Sequence, residues 1–404
     1  MPSKAWWLAG AAAALAAAAF WFGSSASEAA PSQAAAPANG AGLPFFGAVD
    51  AAGALPAPSE RTERLRQLRD NFALVDKTYC DYAAATKYPD ASRPAAQNPD
   101  QLHPNEPVTE AHPMRTGGGK TEPTVALQTS QSRVYMAAGE VVAFSLRAID
   151  AKGEPLALVV TRAVAAGMTY KGARPTAQIP LVFADDGKQA DSVAGDGAFA
   201  AVLAPGATGL AGFNGTIRTE VRYSVNGKQG FVLFDVIYTP ESPALWSGQV
   251  REAVEDGSLV FYLKAEVRQA GRYIVHGRVD DAKGKPFALA TFNEPLAAGS
   301  QEVKLMVFGK LMRDQQAAMP LTLRDVDGYL LKEDVDPDRA LMPRLEGKVF
   351  AGKPHPLKSF SDAEWQSEER TRHLVEFSKD VALAKGALAS FDPALAAPKS
   401  ACLP

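Results

Sequence analysis

Leu259-Val260-Phe261-Tyr262-Leu263-Lys264-Ala265-Glu266-Val267 sets Leu259, Phe261, Leu263, Ala265 and Val267 on one side of an extended chain and Tyr262, Lys264 and Glu266 on the other. A period of two marks a strand with one face in a core and the other toward water. The pattern continues in Tyr273, Val275 and Val279 against Arg272, His276 and Arg278. Upstream it appears in Val142, Phe144, Leu146 and Ala148 against Ser145 and Arg147, and in Val221, Tyr223 and Val225 against Glu220, Arg222 and Ser224. Asn226-Gly227 then supplies a two-residue hairpin turn into residues 231–238. Short strands broken by turns at this spacing predict a sandwich or barrel.

The strand-rich region also repeats itself. Asp150-Ala151-Lys152-Gly153-Glu154-Pro155-Leu156-Ala157-Leu158 recurs as Asp281-Ala282-Lys283-Gly284-Lys285-Pro286-Phe287-Ala288-Leu289. Each copy is turn chemistry: glycine permits positive φ and proline fixes the exit into the next strand. The expected fold is therefore mainly β, with two tandem immunoglobulin-like β-sandwich domains at 124–242 and 243–345, each near the roughly 100 residues of such a unit. A helix precedes them and another follows.

At the amino end, Lys4 precedes an apolar run over residues 6–22, and Ser27-Glu28-Ala29 offers a small-x-small cleavage site. The run is short for a hydrocarbon core of roughly 30 Å, which favours a cleaved signal peptide over residues 1–29. Phe20-Trp21-Phe22 suits a membrane interface and supports the alternative, a retained signal anchor. Membrane contact is expected only through this segment if it stays uncleaved. Residues 30–58 read as a disordered Ala/Pro linker. Ser59 can cap an amphipathic helix over 59–88, whose stripe Leu65, Leu68, Phe72, Val75, Tyr79 and Tyr82 needs a partner surface. Seven prolines over 89–123 predict an extended linker. The carboxy-terminal segment, 346–404, has a capping box at Ser361 and Glu364 that predicts a helix over about 361–390.

Lys plus Arg number 42 against 45 Asp plus Glu, a net charge of -3, so no basic face is available to counter phosphates and nucleic acid is not an expected partner. Two cysteines exclude a disulfide-rich scaffold and a thiolate zinc site. Cys80 and Cys402 are read either as a disulfide joining the two ends of the folded chain or as two buried thiols. Asp185, Asp186, Asp191 and Asp196, interleaved with Gly187, Gly195 and Gly197, supply hard oxygen ligands of the kind that hold calcium. Asp-Gly pairs are also ordinary turn formers, and both readings stand. Asp334, Asp336 and Asp338 carry a calcium-loop spacing, but Arg339 occupies the glycine position. No Gly-x-Ser-x-Gly elbow and no HExxH motif is present, so no catalytic residue is assigned.

Ala184-Asp185-Asp186-Gly187 through Asp191, then Ala194-Gly195-Asp196-Gly197-Ala198-Phe199, resembles the signature of the bacterial choice-of-anchor X type of immunoglobulin-like module. Ala270-Gly271-Arg272-Tyr273, Phe308-Gly309-Lys310, Leu323-Arg324-Asp325-Val326 and Phe360-Ser361-Asp362-Ala363-Glu364-Trp365 are similar to its continuation. Leu102-His103-Pro104-Asn105-Glu106-Pro107 and Thr129-Ser130-Gln131-Ser132-Arg133-Val134-Tyr135 resemble a family of exported bacterial proteins of unassigned function. The resemblance implies export to the periplasm or cell surface of a Gram-negative bacterium, and it implies no catalytic residue. The expected function is that of a non-enzymatic binding or structural protein holding an envelope protein or glycan, with calcium as the one candidate cofactor. The alternative is an exported hydrolase or the accessory domain of an envelope enzyme.

Overall fold

A computed structural model describes residues 60–169, 174–394 and 398–403. The export segment, the Ala/Pro linker and the Ser59 cap lie outside the described residues. The chain divides into two units, Met1–Glu63 and Arg64–Pro404; of the first, only the opening turn of a helix is described. The described helices are α1 (Glu60–Ala85), α2 (Gly309–Asp314) and α3 (Glu368–Phe391). No described helix is long and apolar enough to cross a membrane. The strands begin with β1 (Ser92–Pro94), β2 (Val108–Arg115), β3 (Thr121–Gln131), β4 (Tyr135–Ala137), β5 (Val142–Ile149) and β6 (Pro155–Leu156). They continue with β7 (Leu158–Gly167), β8 (Gln178–Pro180), β9 (Phe199–Leu203), β10 (Gly215–Val225), β11 (Lys228–Thr239) and β12 (Ala244–Glu255). The remainder are β13 (Ser258–Val267), β14 (Gly271–Asp280), β15 (Pro286–Leu296), β16 (Gly299–Val307), β17 (Thr322–Leu331), β18 (Arg339–Leu341) and β19 (Leu345–Ala351).

The protein is mainly β, and its sheets are largely antiparallel. One apolar core lies between a sheet ordered β2-β3-β5-β6, with β9 also on β5, and a sheet ordered β4-β11-β10-β7-β8. The alternating residues meet there: Phe144 and Leu146 from one sheet, Val221 and Tyr223 from the other. Phe144 and Phe234 stack across the core at 4.8 Å. Burying each such side chain stabilises by about 1.5–3 kcal/mol. The Asn226-Gly227 turn forms as the sequence predicts, with both residues at positive φ and Val225 paired to Lys228.

A second core lies between β12-β13-β16 and β1-β15-β14-β17-β18, with β19 also on β17. Leu259, Phe261, Leu263, Ala265 and Val267 are all buried in it. Val260 and Tyr262, on the opposite face of β13, are buried as well. The Arg251 guanidinium covers Tyr262 at 3.7 Å, and the Tyr262 hydroxyl bonds to Glu255. The two copies of the repeat form the same turn. In each, the aspartate, Asp150 or Asp281, accepts from the amides two and four residues on, and the glycine, Gly153 or Gly284, sits at positive φ.

The proline-rich stretch 89–123 is not a linker. It contains β1, β2 and the start of β3. Proline lacks a ladder donor but is accepted at sheet edges, and β1 and β2 are both edge strands. β1 pairs with β15 of the second sheet pair, so residues 98–106 run across that pair before the chain enters the first. Gln101 O and Leu102 O there accept from Arg278 and Arg324. The strands thus extend beyond the expected boundaries at both ends, from β1 at residue 92 to β19 at residue 351.

The carboxy-terminal helix also starts later than the capping box predicts, at Glu368, with Ser367 as the N-cap accepting from the Arg370 amide. Ser361 N bonds to Gly257 O and Trp365 N to Lys87 O, and these tertiary bonds hold the stretch extended. The α1 stripe finds its partner in α3: Phe72, Val381, Ala384 and Leu388 are buried together, flanked by Leu65, Leu68, Val75 and Tyr79. Arg370 links the helices by donating to Thr86 Oγ1 while it pairs with Glu364.

The exit of α1 is clasped to α2. Lys87 Nζ lies 2.5 Å from Asp314, Lys310 Nζ 3.1 Å, and the Tyr88 hydroxyl donates to Asp314 at 2.9 Å. Burial opposes ionisation of Asp314, but the two ammonium groups and the hydroxyl outweigh it and hold the carboxyl at about 2. Burial, aided by Asp314, pushes Tyr88 up to about 12. Because the aspartate is depressed, its contribution is complete above an unfolded value of about 3.9 and disappears as pH falls through the folded one; the raised tyrosine contributes below about 10 and loses its contribution as pH rises toward 12. Protection of the last turn of α1 against amide exchange is thus expected to stay flat between about pH 4 and 10 and to fall outside that range. Asp314→Asn should lower it at pH 7; full protection in that variant would mean that the clasp does not hold α1.

Candidate functional site

The four aspartates read as calcium ligands lie in the loop between β8 and β9. Asp185, Asp191 and Asp196 each direct one carboxylate oxygen into a group whose atoms lie within 4.8 Å of one another. Asp186 is outside it; its carboxylate accepts from the Lys188 amide and lies 3.6 Å from the Lys188 ammonium. Calcium–oxygen distances of about 2.3–2.6 Å place ligands on one ion at most about 5 Å apart, so the three oxygens meet the outer limit for a shared cation. They fall short of the roughly six to eight oxygens calcium takes, and carbonyls or water would have to supply the rest.

The same carboxylates bind their own backbone. Asp185 accepts from the amides of Gly195, Asp196 and Gly197, at 2.6, 3.3 and 2.9 Å. Asp191 accepts from Gly187 at 2.6 Å and Val193 at 3.2 Å. The Gly187 amide, aided by Val193 and opposed by burial, lowers the Asp191 pKa from its ordinary value. Gly187 has φ +70, and a Cβ there would meet Ala194 N at 3.1 Å, so only glycine fits this crossing comfortably. The loop therefore has its own internal ties, to which a bound cation would be added as a brace. Asp185→Ala is expected to cost about 3 kcal/mol through three lost amide bonds. Its melting temperature should fall well below that of the wild type with chelator present in both. A chelator shift in the wild type as large as that of the substitution would assign the larger part to calcium.

The second sheet pair carries a different kind of site, an open cavity of about 690 Å³. Register sets one wall. His276 pairs with Thr291, Ile274 with Asn293, and Arg93 with Leu289, all on the outward face of the β1-β15-β14-β17 sheet. Tyr329, opposite Ile274 on β17, lies on the same face. Glu255 and Asp256, at the β12–β13 turn, line the cavity with Lys304 of β16. His276 Nδ1 is 3.3 Å from Thr291 Oγ1; burial, chiefly, lowers its pKa, with Arg278 and Arg93 adding to this and Asp327 opposing. The ring is therefore neutral at pH 7 and available as a hydrogen-bonding group.

The sequence marks His276 as an outward residue but misses Arg93, whose setting Ser92-Arg93-Pro94 reads as linker. Only its pairing with β15, nearly two hundred residues further along, places it in the cavity. Cys80 and Cys402 are joined as a disulfide with their Cα atoms 5.8 Å apart. Of the other acidic triplet, Asp338 pairs with Arg339, which lies between the Tyr135 and Tyr329 rings.

No family model and no curated protein matches the chain. Among solved structures it is similar to a DUF4785 family protein from Legionella pneumophila, with 14% identity and a TM-score of 0.34 over 58% of each chain. The chain thus spans little more than half of that protein. A biofilm associated protein BSP domain is similar at 13% identity and a TM-score of 0.15, over 57% of this chain and 32% of that one. Bovine butyrophilin is similar at 9% identity and a TM-score of 0.16, over 48% and 86%. At such scores the fold stands on its own strands and cores.

Proposed function

We propose that the protein is an exported, non-enzymatic binding or structural protein of the bacterial periplasm or cell surface, built on two tandem immunoglobulin-like domains. The observation that carries this reading is the Cys80–Cys402 disulfide. Such bonds persist in oxidising compartments and are reduced in the cytosol. Two sheet-enclosed cores that share one turn design support the tandem layout. An envelope protein or glycan is the partner class, held by the outward faces and edges of the sheets. Fractionation combined with thiol labelling tests the reading. The protein is expected in the envelope fraction with neither cysteine labelled; recovery from the cytosol with both thiols free rejects it.

A further inference from the structure

The cavity on the second sheet pair contains a cation without a counter-ion. Arginine stays charged at any pH a protein meets, and an enclosed guanidinium costs free energy unless it is paired. Arg278, Arg324 and Arg370 each satisfy this with a carboxylate. Arg93, half-buried at the mouth of the cavity, does not: its Nε is buried without a hydrogen-bond partner, and among the described residues it forms no ion pair. Thr291, on the same sheet face and next to β1, adds a neutral hydroxyl; Asn293, further along β15, lines the cavity with its Oδ1 taken by Arg272.

The rest of the lining is mostly of the opposite sign. Asp90, Glu255, Asp256 and Glu294 line the same cavity, Glu255 also accepting from the Tyr262 hydroxyl, against one ammonium group from Lys304. A phosphate dianion would be repelled by these carboxylates, whereas a ligand with one carboxylate and one ammonium group matches both parts. We propose that this cavity binds a zwitterionic amino acid or short peptide, with Arg93 taking its carboxylate and the acidic lining taking its ammonium group. The inference deepens the binding reading above by naming a ligand class for the second sheet pair.

Calorimetric titration of the full chain with L-alanyl-L-alanine, its carboxy-terminal amide, its N-acetyl derivative and inorganic phosphate tests it. The dipeptide is expected to bind with a dissociation constant below about 10 mM, and the amide at least about tenfold more weakly. Acetylation should weaken binding several-fold. Arg93→Gln should lose about tenfold with an unchanged melting temperature, and Arg93→Lys should lose less, because charge is kept and only the fork geometry is lost. Equal binding of acid and amide, indifference to Arg93→Gln, preference for phosphate, or no heat from the dipeptide would each overturn the proposal. The fractionation and thiol experiment reads the location of the protein separately, so one result can fail while the other holds.

Discussion

Asp325→Ala is expected to destabilise the second sheet pair by about 3–5 kcal/mol, the summed cost of taking a charged acceptor from three donors. The Asp325 side chain, 14% exposed, accepts from Asn105 at 3.0 Å, from the Gly347 amide at 2.7 Å and from Arg324 at 2.6 Å. One carboxylate therefore ties the crossing segment, the turn within β19 and the β17 arginine together. Without it Arg324 keeps Asp280 and Leu102 O, but Asn105 and Gly347 lose their acceptor. Asp325 also sits at φ +45, so alanine adds backbone strain that asparagine, which tolerates that region, largely avoids. Asp325→Asn should fall between alanine and wild type. Urea unfolding followed through Trp246, whose indole donates to Pro343 O in this sheet pair, reads both variants. A loss under about 1 kcal/mol for alanine would show that the cluster does not hold the crossing segment.

Cys402→Ser should have an effect of similar size. The disulfide closes a separation of 322 residues, and loop-closure entropy on that scale gives about 6 kcal/mol. The local consequence is sharper. Among the described residues the apolar side chains that the α1–α3 contact buries are few, Phe72, Val381, Ala384 and Leu388, and Ala401 N donates to the buried Asp76 beside the bond. Reduction of the wild type and the serine substitution are expected to lower the melting temperature equally and to open the end of the chain to carboxypeptidase. Reduction should do nothing further to Cys402→Ser. A melting temperature insensitive to reductant would show that the helices hold each other without the bond.

The sequence made the core strands readable because alternation reports burial directly: Leu259, Phe261 and Leu263 lie where their spacing puts them. The repeated Asp-x-x-Gly-x-Pro turn was readable because its hydrogen bonds are local. Ser361 misled, since its amide and that of Trp365 are taken by Gly257 and Lys87, partners that no local rule supplies. The aspartate loop was readable as a cluster but not as a choice of three from four, which depends on how the loop crosses itself at Gly187. Arg93 was least readable: a three-residue edge strand between prolines has no period, and its meaning comes wholly from β15.

The placement of β1 also sets an order of assembly. As the polypeptide is synthesised, or threaded through a membrane amino end first, Ser92-Arg93-Pro94 emerges before any of the first sheet pair, yet its partner strand β15 is made much later. The first sheet pair can close while β1 waits unpaired, because closing a loop of that length must precede any reward from the contact. The pocket around Arg93 is thus among the last features to mature, and a nascent chain halted before residue 286 would carry a finished first half and only the unassembled part of its lining that precedes β15.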